Sequence, residues 1–171
     1  MEGTEIERQF VIPNLPESYR IDHSIYHEVG YVIVHNGELR VFRKKLPGRW
    51  KFAITVKEDG NLAREEWEKE LPEWAFNIVW PNTKGARVHK TRHFVHYVND
   101  FGVYLLEIDD YKKSLEGLIR LECEFKTVEA ATDFVLPAWA EDAVEVTNDP
   151  RYKNKNLAVH GLPPGFRKLF V

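Results

Sequence analysis

Residues 4–12 read TEIERQFVI, and their alternation decides the kind of fold this chain can form. Ile6, Phe10 and Ile12 fall on one side of an extended backbone and Glu5, Glu7 and Gln9 on the other, the period of two that a β-strand imposes. Glu5 and Glu7 are then neighbours about 7 Å apart on one face, where like charges repel unless a cation lies between them. A first strand that opens this way needs counter-charge from the strands beside it or from a bound ion.

The same period continues along the chain, with strands expected at 4–12, 24–35, 38–46, 50–57, 63–71, 86–98, 102–112 and 117–126. Turn chemistry separates several of them: HNGE (35–38), EDGN (58–61) and NDFG (99–102). LPEWAFNIVWP (71–81) reads as a helix, with Pro72 near its first turn and Pro81 stopping it. Further helices are expected after residue 126, capped by Thr127, and in DPRYKNKNLAVH (149–160), with Asp149 as cap and Pro150 at the first helical position. The basic, Gly/Pro-rich tail 161–171 is expected to be loosely held. The fold class is mainly β (α+β): an eight-stranded antiparallel β-barrel tunnel with covering helices after strands five and eight.

Sorting the strands by parity separates two faces. One collects Glu5, Glu7, Gln9, Arg40, Lys51, Thr55, Lys57, Arg64, Glu66, Glu68, Glu70, Lys90, Arg92, Glu107, Asp109, Arg120, Glu122 and Glu124. The other carries Ile6, Phe10, Ile12, Phe52, Ile54, Val56, Leu106, Ile108, Leu121, Cys123 and Phe125. Only 86–98 blurs the division, with His89, Thr91 and His93 on its apolar side.

Any antiparallel sheet with one wet face alternates in this way. Three details point further. The polar face is charged rather than filled with Ser or Asn, its acids and bases are segregated by strand, and carboxylates two apart recur at 5/7, 107/109 and 122/124. A barrel with this face inward places the acids to bind Mg²⁺ or Mn²⁺ and the bases to hold an anion that shares the metal, such as a polyphosphate. So many enclosed charges require a wet, ligand-filled interior. The apolar exterior then needs cover, which WAFNIVW (74–80) and the C-terminal helices supply.

Bulk properties narrow the class. A chain of 171 residues suits a single domain, 1–171. The formal net charge of −3, with mixed signs, provides no basic footprint for nucleic acid. Cys123 is the sole cysteine and suits a reducing compartment. Neither a secretory leader nor an apolar run of about 20 residues is present, so a cytoplasmic protein without a membrane span is expected.

With these residues in view, EIERQFVI (5–12) resembles the opening signature of the CYTH superfamily, the triphosphate tunnel metalloenzymes, whose first strand carries Glu-x-Glu-x-Lys. VGYVI (29–33), KFAITVK (51–57), LAREEWEKELP (62–72), HKTRHFV (89–95), LEID (106–109) and LECEF (121–125) are similar, in order, to later strands of that family. VTNDPRYKNKNLA (146–158) resembles the closing helix of its small bacterial, inorganic triphosphatase-like members. The resemblance implies a tunnel that binds a triphosphate end-on with Mg²⁺ or Mn²⁺. It implies metal ligation by Glu5, Glu7, Glu122 and Glu124 with Asp109 in support, and phosphate contacts from Arg40, Lys51, Lys57, Lys90, Arg92 and Gln9. Lys57, Glu66 and Glu68 are the implied catalytic residues, the glutamates orienting the clamp or the attacking water. The implied reaction is hydrolysis of the terminal phosphoryl group of a linear triphosphate, most simply inorganic tripolyphosphate.

Two positions depart from the pattern. Gln9 stands where the signature has Lys, and Phe42 takes the second basic position of an Arg-x-Arg strand unless a bulge turns Arg43 inward. Each lost charge-assisted contact is worth about 1.5–3 kcal/mol, roughly one to two decades in affinity or rate. A triphosphate-binding module with little turnover, a nucleoside or thiamine triphosphatase and an adenylate cyclase are therefore the rival readings. The oligomeric state, monomer or homodimer, stays open.

Other conspicuous residues have ordinary roles. His23 and His27 lack zinc-ligand spacing and are expected to be structural or superficial. Cys123 is expected to be a buried apolar residue, Trp74 and Trp80 a covering layer, RKKLPGR (43–49) a solvated hairpin loop, and Arg151 and Tyr152 capping and packing residues.

Overall fold

A computed structural model of the chain describes residues 6–17, 20–35, 37–57 and 66–170, the side chain of Glu66 excepted. The Glu5 expectation, the side-chain role of Glu66, and the EDGN turn therefore lie outside the described residues. The strands are β1 (Ile6–Val11), β2 (His23–Val32), β3 (Glu38–Leu46), β4 (Arg49–Lys57), β5 (Glu66–Leu71), β6 (Arg87–Asn99), β7 (Gly102–Tyr111), β8 (Ile119–Phe125) and the short β9 (Val144–Glu145). Helices α1 (Glu73–Val79), α2 (Val128–Asp133) and α3 (Asn154–His160) follow β5, β8 and β9.

All strands join one antiparallel sheet in the order β5-β4-β3-β2-β6-β7-β8-β1-β9. The expected eight-stranded closed barrel is thus corrected to nine strands in a sheet that does not close among the described residues. The outer edge of β1 is already taken: Val11 pairs with Val144 and Phe10 with Glu145, and the Val146 amide donates to the Gln9 carbonyl at 2.8 Å. Between β6 and β7, the Asn99 side chain accepts from the amides of Phe101 and Gly102, as expected for NDFG. RKKLPGR is not a loop: Arg43–Leu46 continue β3, and only Pro47 and Gly48 turn.

The apolar exterior is covered in two patches. Over β3 and β4, Phe76 of α1 packs on Val41 and Phe52, with Val79 and Trp80 beside it. Trp80 stacks on Phe76, whereas Trp74 is 69% exposed and covers nothing, because it faces away from the sheet. Over β1, β7 and β8, Ala131 of α2 with Phe134 and Ala140 closes on Phe10, Leu106, Leu121 and Cys123. The turn 80–83 presses on β2 at Gly30, where an added Cβ would stand 2.4 Å from Thr83 Oγ1. Thr83 cannot yield easily, since it donates to the Trp80 carbonyl and accepts from Arg87 Nε.

The inner face is not charged throughout. Val11, Val29, Tyr31, Phe42, Ala53, Val88 and Tyr111 form an apolar belt across strands far apart in the sheet order, which shows how strongly the sheet curls. Tyr152, Leu157 and Phe166 pack on that belt. The C-terminal segment thus fills one end of the inner face instead of covering the exterior as expected. DPRYKNKNLAVH divides into a 3₁₀ turn (Pro150–Tyr152), capped by Asp149, and then α3. The tail expected to be loosely held is pinned by Phe166, 9% exposed within the belt cluster.

Two substitutions test this packing. Phe166→Ala should cost about 3 kcal/mol in urea unfolding, against a few tenths for a tail free in water. Gly30→Ala should destabilise by about 1–3 kcal/mol through overpacking against Thr83; a neutral result would show that the 80–83 turn is not seated there.

Candidate active site

Along most strands the residue two positions from the belt carries the chemistry. Gln9 follows this rule beside Val11, His27 beside Val29, Lys44 beside Phe42, Lys51 beside Ala53, Lys90 beside Val88, Asp109 beside Tyr111 and Arg120 beside Leu118. The next step along brings Glu7, Arg92, Glu107 and Glu122. Strand pairing sets these side by side: Arg92 opposite Asp109, Asp109 opposite Arg120, Glu107 opposite Glu122, and Glu122 opposite Gln9.

Asp109, with no exposed surface, is the hub. Arg92 grips it bidentately, Nε to Oδ1 at 2.7 Å and Nη2 to Oδ2 at 2.8 Å, and Lys90 Nζ bonds the same Oδ2. Arg92 also donates to Glu122 at 2.6 Å and to Glu107. Arg120, 1% exposed, pairs with Glu122 at 2.5 Å and donates to the Tyr152 carbonyl, tying the cluster to the C-terminal segment. Burial opposes every one of these charges. For Arg92 the carboxylates prevail and hold its pKa well above the ordinary value. Lys90 is pushed down to about 8 by burial and by Arg92, only partly offset by Asp109 and Glu122. The Asp109 carboxyl, despite burial, is held far below the usual range by Lys90 and Arg92. Burial, and then the neighbouring carboxylates Glu122, Asp109 and Glu124, raise Glu107 against the pull of Arg92.

Of the residues expected at the site, Gln9, Lys90, Arg92, Asp109 and Glu122 meet here. Glu7 and Glu124 face each other across β1 and β8, both exposed, and Gln9 donates to Glu7 at 2.8 Å. Lys51 pairs with Glu70 at 3.6 Å, and Thr55 donates to Glu68 at 3.3 Å. Arg40 and Lys57 lie along their strands on the far side of Phe42 and Ala53, about 20 Å separating Lys57 from Lys51 at the opposite end of β4. No three His, Cys, Asp or Glu side chains converge closely enough to hold a metal ion among the described residues. The question of position 42 is settled: β3 pairs without a bulge, Phe42 turns into the belt, and Arg43 turns out to Glu28 at 2.7 Å and the Trp50 ring.

Four inner-face residues escaped the sequence reading of the site, among them Lys44, expected only as part of the loop RKKLPGR. Glu107 and Arg120 had been sorted onto the charged face without a role. His27, expected to be structural or superficial, is buried on the inner face opposite both Lys90 and Lys44. Its pKa is lowered to about 3 by burial and by Lys90, Arg92 and Lys44. Parity with Val29 and Tyr31 was the available signal.

Interlocked cations beside a rim of carboxylates, on the inner face of a curled antiparallel sheet blocked at one end, define a charge-lined β-sheet protein. Comparison with known proteins gives it a family. The chain is 34% identical over 156 residues to an inorganic triphosphatase of Nitrosomonas europaea, spanning 91% of this chain and 97% of the relative. It is 29% identical over 161 residues to an inorganic triphosphatase of Acetivibrio thermocellus, spanning 91% and 93%. Among solved structures, an inorganic triphosphatase superposes with a TM-score of 0.70 at 32% identity, covering 94% of this chain and 97% of that one. A Hippeastrum adenylyl cyclase-like protein with dominant triphosphatase activity shares the fold alone, with a TM-score of 0.51 at 15% identity over 75% of this chain and 82% of that one. A scan against protein-family models finds no match. The chain belongs to the inorganic triphosphatase family.

The neutral His27 carries a pH signature. The folded state keeps the imidazole unprotonated down to about pH 3, while the unfolded chain takes up a proton below its ordinary pKa of 6.5. Its contribution to stability is complete above that value and declines as pH falls, by at most about 1.4 kcal/mol per pH unit. Urea midpoints at pH 7.5 and pH 5.0 should therefore converge in His27→Gln relative to the native chain; equal losses in both would mean that His27 does not stay neutral.

Proposed function

We propose that this protein hydrolyses the terminal phosphoryl group of a linear triphosphate, inorganic tripolyphosphate first among candidates, with Mg²⁺ or Mn²⁺. The observation that carries this reading is the Lys90–Arg92–Asp109–Glu122–Arg120 cluster on the inner face of a chain in the inorganic triphosphatase family. Forked guanidinium and ammonium groups held in fixed orientation stabilise charge that develops on phosphate oxygens without reorganising during the reaction. Lys90 and Arg92 supply that charge, and Asp109 holds both in place. Water attacks the terminal phosphorus as the bond to the bridging oxygen breaks; the diphosphate leaves with the electron pair, the water oxygen remains on the released orthophosphate, and its proton passes to solvent.

For the metal, the donor chemistry fits at the rim. Glu7 and Glu124 are directly opposed and exposed, a like-charged pair that a hard divalent ion would neutralise, whereas Glu122, two residues from Glu124, already has Arg92 on one oxygen and Arg120 on the other. Glu5, two residues before Glu7 in the sequence and outside the described residues, completes the expected set of acids. Asp109 fits poorly, since Lys90 and Arg92 occupy its oxygens. Once bound, such an ion would polarise the phosphate oxygens it touches. Glu68, held by Thr55, is the described candidate to orient water. The partner is a small anion; no described helix is long and apolar enough to cross a membrane, and the acidic balance leaves nucleic acid out of this reading, with the cytoplasm as its setting.

Phosphate release from tripolyphosphate and from ATP, with each metal, tests the reading in the native chain and in Glu122→Gln plus Glu124→Gln. Metal-dependent release that falls at least about 100-fold in the double variant is expected, with tripolyphosphate the faster substrate. Binding of tripolyphosphate without release would transfer the protein to the binding modules, and cyclic nucleotide formed from ATP would make it a cyclase.

A further inference from the structure

The inner face holds a polar group and a cation that the reaction above leaves unused, and strand register makes them neighbours. His27 on β2 lies opposite Lys44 on β3 and opposite Lys90 on β6. Lys44 is two residues from Phe42 along the same face, one step away from the belt. Lys51, Lys90, Arg92 and Arg120 each have a carboxylate within 4 Å, but Lys44 has none among the described residues. Its close contact is the face of the Phe42 ring, 5.1 Å from Nζ to the centroid. His27 is 6% exposed, and its Nε2 is buried without a hydrogen-bond partner. The cations Lys90, Arg92 and Lys44 act on the ring, opposed by the carboxylate of Asp109.

A buried polar nitrogen without a partner costs free energy until something satisfies it. In the Nε2–H tautomer this nitrogen is a donor, and Lys and Arg side chains, which cannot accept a hydrogen bond, cannot serve it. An anionic oxygen can, and it would at the same time pair with the Lys44 ammonium, which burial disfavours and which Glu68 and Glu107 attract while Arg92 and Lys51 repel. The belt residue Phe42 excludes a charged contact at its own position, and Gln9 contributes none on the other wall.

We propose that His27 and Lys44 form an additional phosphate contact on the β2–β3 wall, which holds one phosphoryl group of the triphosphate through Lys44 Nζ and His27 Nε2–H and supplies, through Lys44, one of the two positive charges absent at positions 9 and 42. This rests on the triphosphate reading above and deepens it: the basic position of β3 has moved two residues along the strand, out of the belt and toward the Lys90–Arg92 cluster. Both residues position substrate; neither takes part in proton transfer. The contact therefore acts on binding, and it acts on inorganic and nucleoside triphosphates alike through their shared phosphate chain.

The test uses the full chain, calorimetric binding of tripolyphosphate and steady-state phosphate release. Lys44→Met should weaken tripolyphosphate binding and raise KM about 10- to 100-fold, with kcat within about threefold. Lys44→Arg should restore most of the loss. His27→Phe should weaken binding several-fold, whereas His27→Gln, which keeps an N–H donor, should weaken it less. Phe42→Arg should recover binding in the Lys44→Met background and add little to the native chain, an outcome that misfolding would not produce. Unchanged binding and KM in Lys44→Met, with hydrolysis intact, overturns this contact while leaving the triphosphatase reading standing. Binding without hydrolysis in the native chain overturns catalysis but leaves the contact measurable by calorimetry. Absence of binding by the native chain overturns both.

Discussion

A carboxylate with no access to water organises this protein. Asp109 is enclosed by the β6 cations Lys90 and Arg92, with Arg120 of β8 on its other flank at 3.6 Å. Moving one such ion out of water costs several kcal/mol after relaxation, and an unpaired guanidinium or ammonium costs as much. Each is tolerable only because the others are present. Remove the aspartate and buried cations repel across neighbouring strands; remove the cations and the carboxylate must take up a proton. This mutual dependence fixes the Arg92 fork in one orientation, which is what a phosphate-binding wall requires.

The cluster in turn depends on the apolar belt beside it. Phe42, Val29, Val88 and Tyr111 exclude water from one end of the inner face, and Tyr152, Leu157 and Phe166 seal it. The low dielectric on that side strengthens the ion pairs and raises the cost of leaving any of them incomplete. Arg120 joins the two regions, since its guanidinium serves both Glu122 and the Tyr152 carbonyl. The Tyr111 hydroxyl adds a second link, donating to Asn154 at 2.7 Å. The C-terminal segment therefore supports the site although none of its side chains belongs to the charged cluster.

Gln9 and Phe42 acquire a physical meaning in this setting. Gln9, 9% exposed, donates to Glu7 and keeps that carboxylate oriented at the rim, whereas a lysine there would have competed for it as a counter-charge. Phe42 extends the belt and provides a ring for Lys44 to rest on. Both departures leave the carboxylate rim and the Lys90–Arg92 wall in place, with the remaining inner-face cations on β3, β4, β6 and β8.

The strands, their faces and the turn at 99–102 were legible in the sequence because alternation and turn chemistry are local: each residue's side follows from its neighbours on the chain. Hence Asp109, Glu122, Lys90 and Arg92 could be assigned to one face before any pairing was known. The occupancy of Phe42 over Arg43, the His27–Lys44 pairing and the seal by Phe166 were not legible. They follow from register and from the curl of a sheet whose neighbouring strands, such as β1 and β8 or β2 and β6, are distant in sequence. Local pattern determined which residues share a face; only non-local pairing decided which of them share a partner, because the energy of a buried charge is set by what lies across the sheet rather than along the strand.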